Sequence, residues 1–224
     1  MMQLDIRIKM NEKLYLRNPE ESALGKRIVN RGLTLINKLG FEDFTFKKLA
    51  KEIDTTEASI YRYFENKHRL LIYLIAWYWS FLEYKVVFSI NNITDPVIKL
   101  KAIISLLVVE PDKKMRNDFI SEWEAYQLVK WEGSKAYLTR SVTRDNKDRL
   151  FKPYKDLCAR IANIIKECNP KYKFPNSLAS TMLEMSHAQK FFMENLPSLT
   201  DSQKIEDSKL TLFLEEVIFK VLQK

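Results

Sequence analysis

The chain has 224 residues, enough for one or two domains with a sizeable core. Apolar residues make up 46%, which excludes a disordered chain, and only 4 Gly and 7 Pro interrupt it, which favours helices throughout. Its 37 basic and 29 acidic residues leave a formal charge of +8, which suits a polyanionic partner without proving one.

Residues 1–20 read as an N-terminal arm. Leu4, Ile6, Ile8 and Met10 alternate there with Asp5, Arg7 and Lys9, the spacing of a short strand or an extended segment. A first helix is predicted from about Glu21 to Leu39. Ser22 caps it, Ile28, Leu33, Leu35, Ile36 and Leu39 form its apolar side, and Gly40 ends it. A second helix follows the cap Thr45 and covers Phe46 to Ile53, with Leu49, Ala50 and Ile53 facing inward. A third covers Glu57 to Phe64, with Ile60 and Phe64 turned toward the first. Two short helices joined by a polar turn, the second presenting small polar, aromatic and cationic side chains, have the layout of a DNA-reading helix-turn-helix.

Asn66 caps a fourth helix, predicted from Lys67 to about Phe88. Leu70, Leu71, Leu74, Ile75, Trp77, Tyr78, Phe81 and Leu82 make it apolar nearly all round, so it belongs in the interior. Pro96 starts a helix that runs to Val109, and Glu110-Pro111-Asp112 breaks it. A sixth is predicted over Lys113–Trp131, with Gly133 interrupting the pattern. Helices over Ser134–Val142 and Asn146–Glu167 follow, then Ser177–Asn195 and Ser202–Leu222. The last has two apolar stripes. Phe213, Leu214, Val217, Ile218 and Val221 form one; Leu210, Leu212, Phe219 and Leu222 extend onto another side. Two stripes imply one face on the chain's own core and one on a partner.

Several function classes drop out. Cys158 and Cys168 lie ten residues apart on a predicted helix, roughly 80° off a common face, which argues against a disulfide or a metal pair and fits a reducing compartment. No signal-like segment and no apolar run of about 18 residues is read, so a soluble, cytoplasmic protein without a membrane partner is expected. His68 and His187 are the only histidines, and no glycine-rich phosphate loop or nucleophile elbow is present. Glu122 with Glu124, and Glu215 with Glu216, are close in sequence but point apart on a helix. The expectation is no enzyme, no metal and no cofactor.

Taken together, Gly40-Phe41, Phe44-Thr45, Leu49-Ala50-Lys51-Glu52-Ile53, Ser59-Ile60-Tyr61-Arg62-Tyr63-Phe64, Asn66-Lys67 and Leu70-Leu71 resemble the tetracycline-repressor-like (TetR) family of bacterial transcriptional regulators. The likeness runs from about residue 24 to 75. Asp54 departs from it, standing where the family usually has glycine; Asp tolerates a left-handed backbone better than most residues. Glu57 also departs, since an acid on a DNA-facing helix repels phosphate, although it can cap the helix or accept from a cytosine amino group.

The resemblance implies an all-α fold of about nine helices. A three-helix DNA-binding head over residues 21–66 would be joined by helix four to an effector-binding and dimerisation body over residues 67–224. It places DNA contacts on Thr45 and Lys47, on Thr56, Glu57, Ala58 and Ser59, on Tyr61, Arg62 and Tyr63, and on Lys67. Tyr61 could instead be core packing and Arg62 a plain solvated charge. It implies a homodimer through the last two helices, with Met182, Met185, Gln189, Phe192, Phe213, Val217 and Val221 at the interface. The partner would be a pseudo-palindromic double-stranded operator. An unidentified, largely apolar small-molecule effector would release it, acting through helix four and most often relieving repression. Aromatic surface for that effector is available at Trp77, Phe81, Trp123, Tyr126, Trp131, Tyr137 and Phe191, with His187. The same spacing also describes an ordinary aromatic core. The rival reading is a helical protein-interaction module whose DNA-binding head has degenerated.

Overall fold

The computed structural model describes residues 8–113, 119–201 and 206–223. Among them are ten α-helices, several single 3-10 turns and no strand. The helices are α1 (Ala23–Leu39), α2 (Phe46–Glu52), α3 (Glu57–Tyr61), α4 (Lys67–Ile90), α5 (Pro96–Val108), α6 (Glu122–Glu132), α7 (Val142–Lys147), α8 (Lys152–Cys168), α9 (Pro175–Asn195) and α10 (Asp207–Leu222). They group into two compact units. Residues 1–81 and 111–153 form the first, and residues 82–110 and 154–224 the second.

The helix starts follow the caps. Ser22 Oγ accepts from the Gly25 N–H, Thr45 Oγ1 from Lys48, Thr56 Oγ1 from Ser59, Asn66 Oδ1 from Arg69 and Asp95 Oδ1 from Val97. Where a predicted helix ran long, a local feature stops it. The sixth was expected from Lys113 but begins at Glu122, because Ser121 Oγ takes the Glu124 N–H. The single helix expected over Asn146–Glu167 is two, since Arg149 turns left-handed at φ 60° between α7 and α8. The predicted helix over Ser134–Val142 is a short 3-10 turn, Gly133–Ala136, followed by α7.

The alternating N-terminal stretch forms no strand where it is described; Leu4 and Ile6 lie outside the described residues. Its end is not a loose tail. Met10 and Leu14 are buried, the Leu16 N–H donates to the Tyr63 carbonyl at 2.8 Å, and Lys13 pairs with Asp148 at 2.6 Å.

In the first unit, Ile28, Leu33 and Ile36 of α1 pack with Leu49 of α2, Ile60 of α3, Phe44, Phe64 and the start of α4 at Leu70, Leu71 and Tyr73. Gly25 is required by a close approach: a Cβ there would lie 2.3 Å from the Pro19 carbonyl oxygen. In the second unit, α5, α9 and α10 pack on one another, with α8 adding Leu157, Ile161 and Ile165. The buried stripe of α10 is Leu210, Leu214, Ile218 and Leu222, two residues from each of the two stripes read in the sequence.

Contrary to the sequence reading, α4 is long and apolar enough to cross a membrane by length and composition, but 72% of its most apolar stretch is buried inside the protein. Residues 70–79 are buried as core, while Tyr84, Val87 and Phe88 near its end are exposed. Cys158 and Cys168 are free thiols.

Candidate nucleic-acid interface

The α2–α3 pair is built by burial on one side and exposure on the other. Phe46, Leu49, Ala50 and Ile53 are buried on α2, leaving Lys47, Lys48 and Lys51 outside. The turn between the helices is closed by the Thr55 N–H bonding to the Ala50 carbonyl at 2.9 Å. That bond spans a helix C-terminus whose penultimate turn residue is left-handed. Asp54 occupies that position at φ 50°, as the departure from glycine at this site required.

On α3, Ile60 points inward while Ala58, Tyr61 and Arg62 are exposed. Thr56 and Ser59 share a hydrogen bond between their hydroxyls at 3.0 Å. Tyr61 divides its ring between two tasks. One edge packs on Phe46 with centroids 5.1 Å apart, yet 49% of the residue is open to solvent. The core-packing reading therefore describes one edge of Tyr61, and the rest of the residue is open. Thr45, Lys47, Thr56, Ala58, Tyr61 and Arg62 are all exposed, and Glu57 and Ser59 are half-exposed at the start of α3.

Two of the ten expected contact residues are placed otherwise. Tyr63 is 2% exposed. Its hydroxyl lies 2.7 Å from Ser22 Oγ, and the Arg17 guanidinium stands over its ring at 5.4 Å. It is a core residue that ties the N-terminal segment to the head, not a surface contact. Lys67 turns its ammonium inward and donates to the carbonyls of Phe41, Glu42 and Phe44 at 2.9, 2.9 and 3.1 Å, with the Phe41 ring 4.7 Å away. Those oxygens take the donors that a phosphate would have used.

The eight aromatic and histidine positions proposed for an effector divide between the units. Trp77 and Phe81 stack at 5.2 Å and are buried in the first. Tyr126 is buried there beside Tyr78, and Trp123 and Tyr137 are half-buried. Trp131 is 52% exposed, so it lines no enclosed space. His187 and Phe191 belong to the second unit, where His187 Nδ1 lies 2.9 Å from the Leu183 carbonyl.

Of the positions expected at a dimer interface, Met182 is fully buried within its own unit and leaves no face for a partner. Met185, Gln189 and Phe192 are half-exposed on α9. Phe213, Val217 and Val221 recur at every fourth residue along the open side of α10, with Phe213 42% exposed.

Sequence reading also missed a buried charge cluster. Asp145 on α7, 1% exposed, accepts from Ser141 Oγ at 2.7 Å and pairs with Arg69 of α4 at 3.2 Å, with His68 Nε2 at 3.9 Å. Burial lowers the His68 pKa, opposed by Asp145 and assisted by Arg69. Nothing in the local spacing signals this cluster, because its members come from segments about 75 residues apart.

Residues 28–74 match the sequence model of bacterial regulatory proteins, tetR family. No curated protein sequence matches the chain. Among solved structures, AibR in complex with isovaleryl coenzyme A and operator DNA superposes with a TM-score of 0.60 at 14% identity, covering 87% of this chain and 98% of that one. The fatty acid degradation regulator FadR from Bacillus halodurans gives 0.56 at 19% identity, covering 88% and 96%. A transcriptional regulator from Rhodococcus sp. Rha1 gives 0.59 at 15% identity, covering 92% and 97%. At these identities the likeness is one of fold.

Proposed function

We propose that this chain, a tetR-family protein by its residues 28–74, is a sequence-specific DNA-binding transcriptional regulator that works as a homodimer. The observation that carries the reading is the α2–α3 pair. Its apolar side chains are buried, while Thr45, Lys47, Thr56, Ala58, Tyr61 and Arg62 stand open on its outer side.

Each exposed group has a chemical task. The Thr45 hydroxyl accepts from the Lys48 N–H and keeps its own proton to donate to a phosphate oxygen. Lys47 supplies charge to the backbone or a base edge. Ala58 is small enough for a thymine methyl, and Ser59, Thr56 and Glu57 are proposed to hydrogen-bond to base edges. Tyr61 and Arg62 reach phosphates or bases. Tyr63 and Lys67 then act from inside, by holding the head together.

One short helix reads few base pairs, so specificity calls for two heads on half-sites about 34–36 Å apart. The open stripe Phe213, Val217 and Val221, with Met185, Gln189 and Phe192, is the proposed self-complementary face. The operator is then a pseudo-palindrome, and repression is the proposed sense of control. A small, largely apolar effector is proposed to release the DNA by binding the non-DNA state better, with α4 as the lever. The aromatic side chains of the first unit, Trp77, Phe81 and Tyr126, are proposed to supply surface for it, and AibR, solved with isovaleryl coenzyme A, makes acyl thioesters the first compounds to try. Such a regulator acts in the cytoplasm.

The test is a salt titration of binding to the DNA upstream of the chain's own gene against random DNA. Wild type should prefer the upstream DNA. Tyr61→Ala should lose the preference, and Lys47→Ala should weaken both and reduce the salt slope by about 1. Equal, steeply salt-dependent binding to both DNAs leaves only a charge effect. No binding by a folded, ligand-free dimer would favour the interaction-module reading, which the inward turn of Lys67 and Tyr63 also supports.

A further inference from the structure

The turn Gly40–Phe44, through which the chain leaves α1 and enters α2, is gripped from two sides. Lys67 of α4 holds its carbonyls, as described above. Glu132, the last residue of α6, holds one of its N–H groups: Oε1 accepts from the Phe41 amide at 3.0 Å. Gly40, immediately before that amide, has a left-handed φ of 79°. Glu132 is itself buried, and its second oxygen is 2.8 Å from the Lys135 ammonium, which also stands 3.4 Å from Glu42 at the rim of the same turn. A buried carboxylate that shares one oxygen with a backbone amide and the other with a cation is fixed in orientation.

Three further contacts lead to the same place along one side of α1. Asn30 donates to the Phe119 carbonyl at 3.4 Å, Thr34 to Glu124 at 2.9 Å and Asn37 to the Glu124 carbonyl at 2.8 Å. Positions 30, 34, 37 and 41 lie on one helical face and its extension. So hydrogen bonds tie α1 to α6 and to Phe119 ahead of it along this line, and Glu132 ends the series at the turn.

We propose that Glu132 is a positioning residue for DNA binding: by holding the Phe41 amide from the end of α6, it fixes the path into α2, and with it Thr45 and Lys47, without touching DNA. This rests on the DNA-binding reading above. It assigns a role in operator affinity to a residue that lies about 65 positions beyond the head in sequence.

Glu132→Gln and Glu132→Met separate acceptor from bulk, because the three side chains are close in size and only Met lacks an acceptor oxygen. In the full-length protein, Glu132→Gln should bind the upstream DNA within about threefold of wild type, while Glu132→Met should lose about tenfold as the Phe41 amide goes unpaired. The salt slope should stay that of wild type in both, since no phosphate contact is removed. Amide exchange at Phe41 should quicken in Glu132→Met alone. Wild-type affinity in Glu132→Met, or equal loss in both variants, overturns the proposal, as does unchanged Phe41 exchange. Should Glu132→Met not fold, Glu132→Ala takes its place with the same readings. If wild type itself shows no preference for the upstream DNA, the DNA reading falls, and the exchange data still report whether the grip on the turn exists.

Discussion

At the scale of single residues, the head uses its side chains for more than one purpose, and burial decides which purpose wins. Tyr61 ends α3 and Tyr63 lies two residues on, yet one is half open and the other closed, because Tyr63 meets Ser22 and Arg17 from the N-terminal segment. His68 shows the same dependence on neighbours. Its folded pKa lies below the ordinary 6.5, chiefly because burial disfavours the imidazolium. The unfolded chain therefore takes up the proton first as pH falls. Stability tied to His68 is fully present above about pH 6.5 and is lost as pH drops through the lowered folded value. Denaturant titrations at pH 7.5 and 5.5 should show a smaller drop in His68→Gln than in wild type. An equal drop would place the acid sensitivity elsewhere.

At the scale of elements, turns and caps govern where helices begin and end. Asp54 is the clearest case, a left-handed residue closing α2 by the Thr55 to Ala50 bond. Alanine has no side-chain hydrogen bond with which to tolerate that conformation, so Asp54→Ala should cost about 1 kcal/mol. Glycine relieves the strain but loosens the unfolded chain, so Asp54→Gly should stay within about 0.5 kcal/mol of wild type. Thermal or urea unfolding measures both, and an unchanged Asp54→Ala would show that the turn relaxes. On α10, the spacing of apolar residues leaves their division ambiguous: Leu214 and Ile218 fit either stripe by position. Packing within the second unit takes both, and leaves Phe213, Val217 and Val221 outside.

At the scale of the whole molecule, that outer stripe bears on assembly. Single exposed apolar residues are normal, but three in register along one helix are the kind of face that a partner covers. The double variant Phe213→Glu with Val217→Glu places charge on this face without entering the core. It should shift the proposed dimer to monomer in light scattering and weaken upstream-DNA binding, although it touches neither α2 nor α3. A variant that stays dimeric would move the interface to another surface. Division into units is also a whole-molecule property. Residues 111–153 join the head rather than the rest of the body, and this is what brings Glu132 to the turn at Phe41.

Sequence alone determined the helical class, the head with its caps at Ser22, Thr45, Thr56 and Asn66, the left-handed residue at Asp54 and the likeness of residues 28–74 to tetR-family regulatory proteins. Those features are local: each depends on side chains within a few positions of the backbone they satisfy, so spacing reveals them. Tertiary structure decided the fate of Lys67, Tyr63 and Met182, the cluster around Asp145, and the hold of Glu132 on the turn. A lysine at a helix start looks the same in sequence whether it meets a phosphate or three carbonyls. Only the distant segment folded against it determines which acceptors its ammonium finds, and that choice is made by packing between elements far apart in the chain.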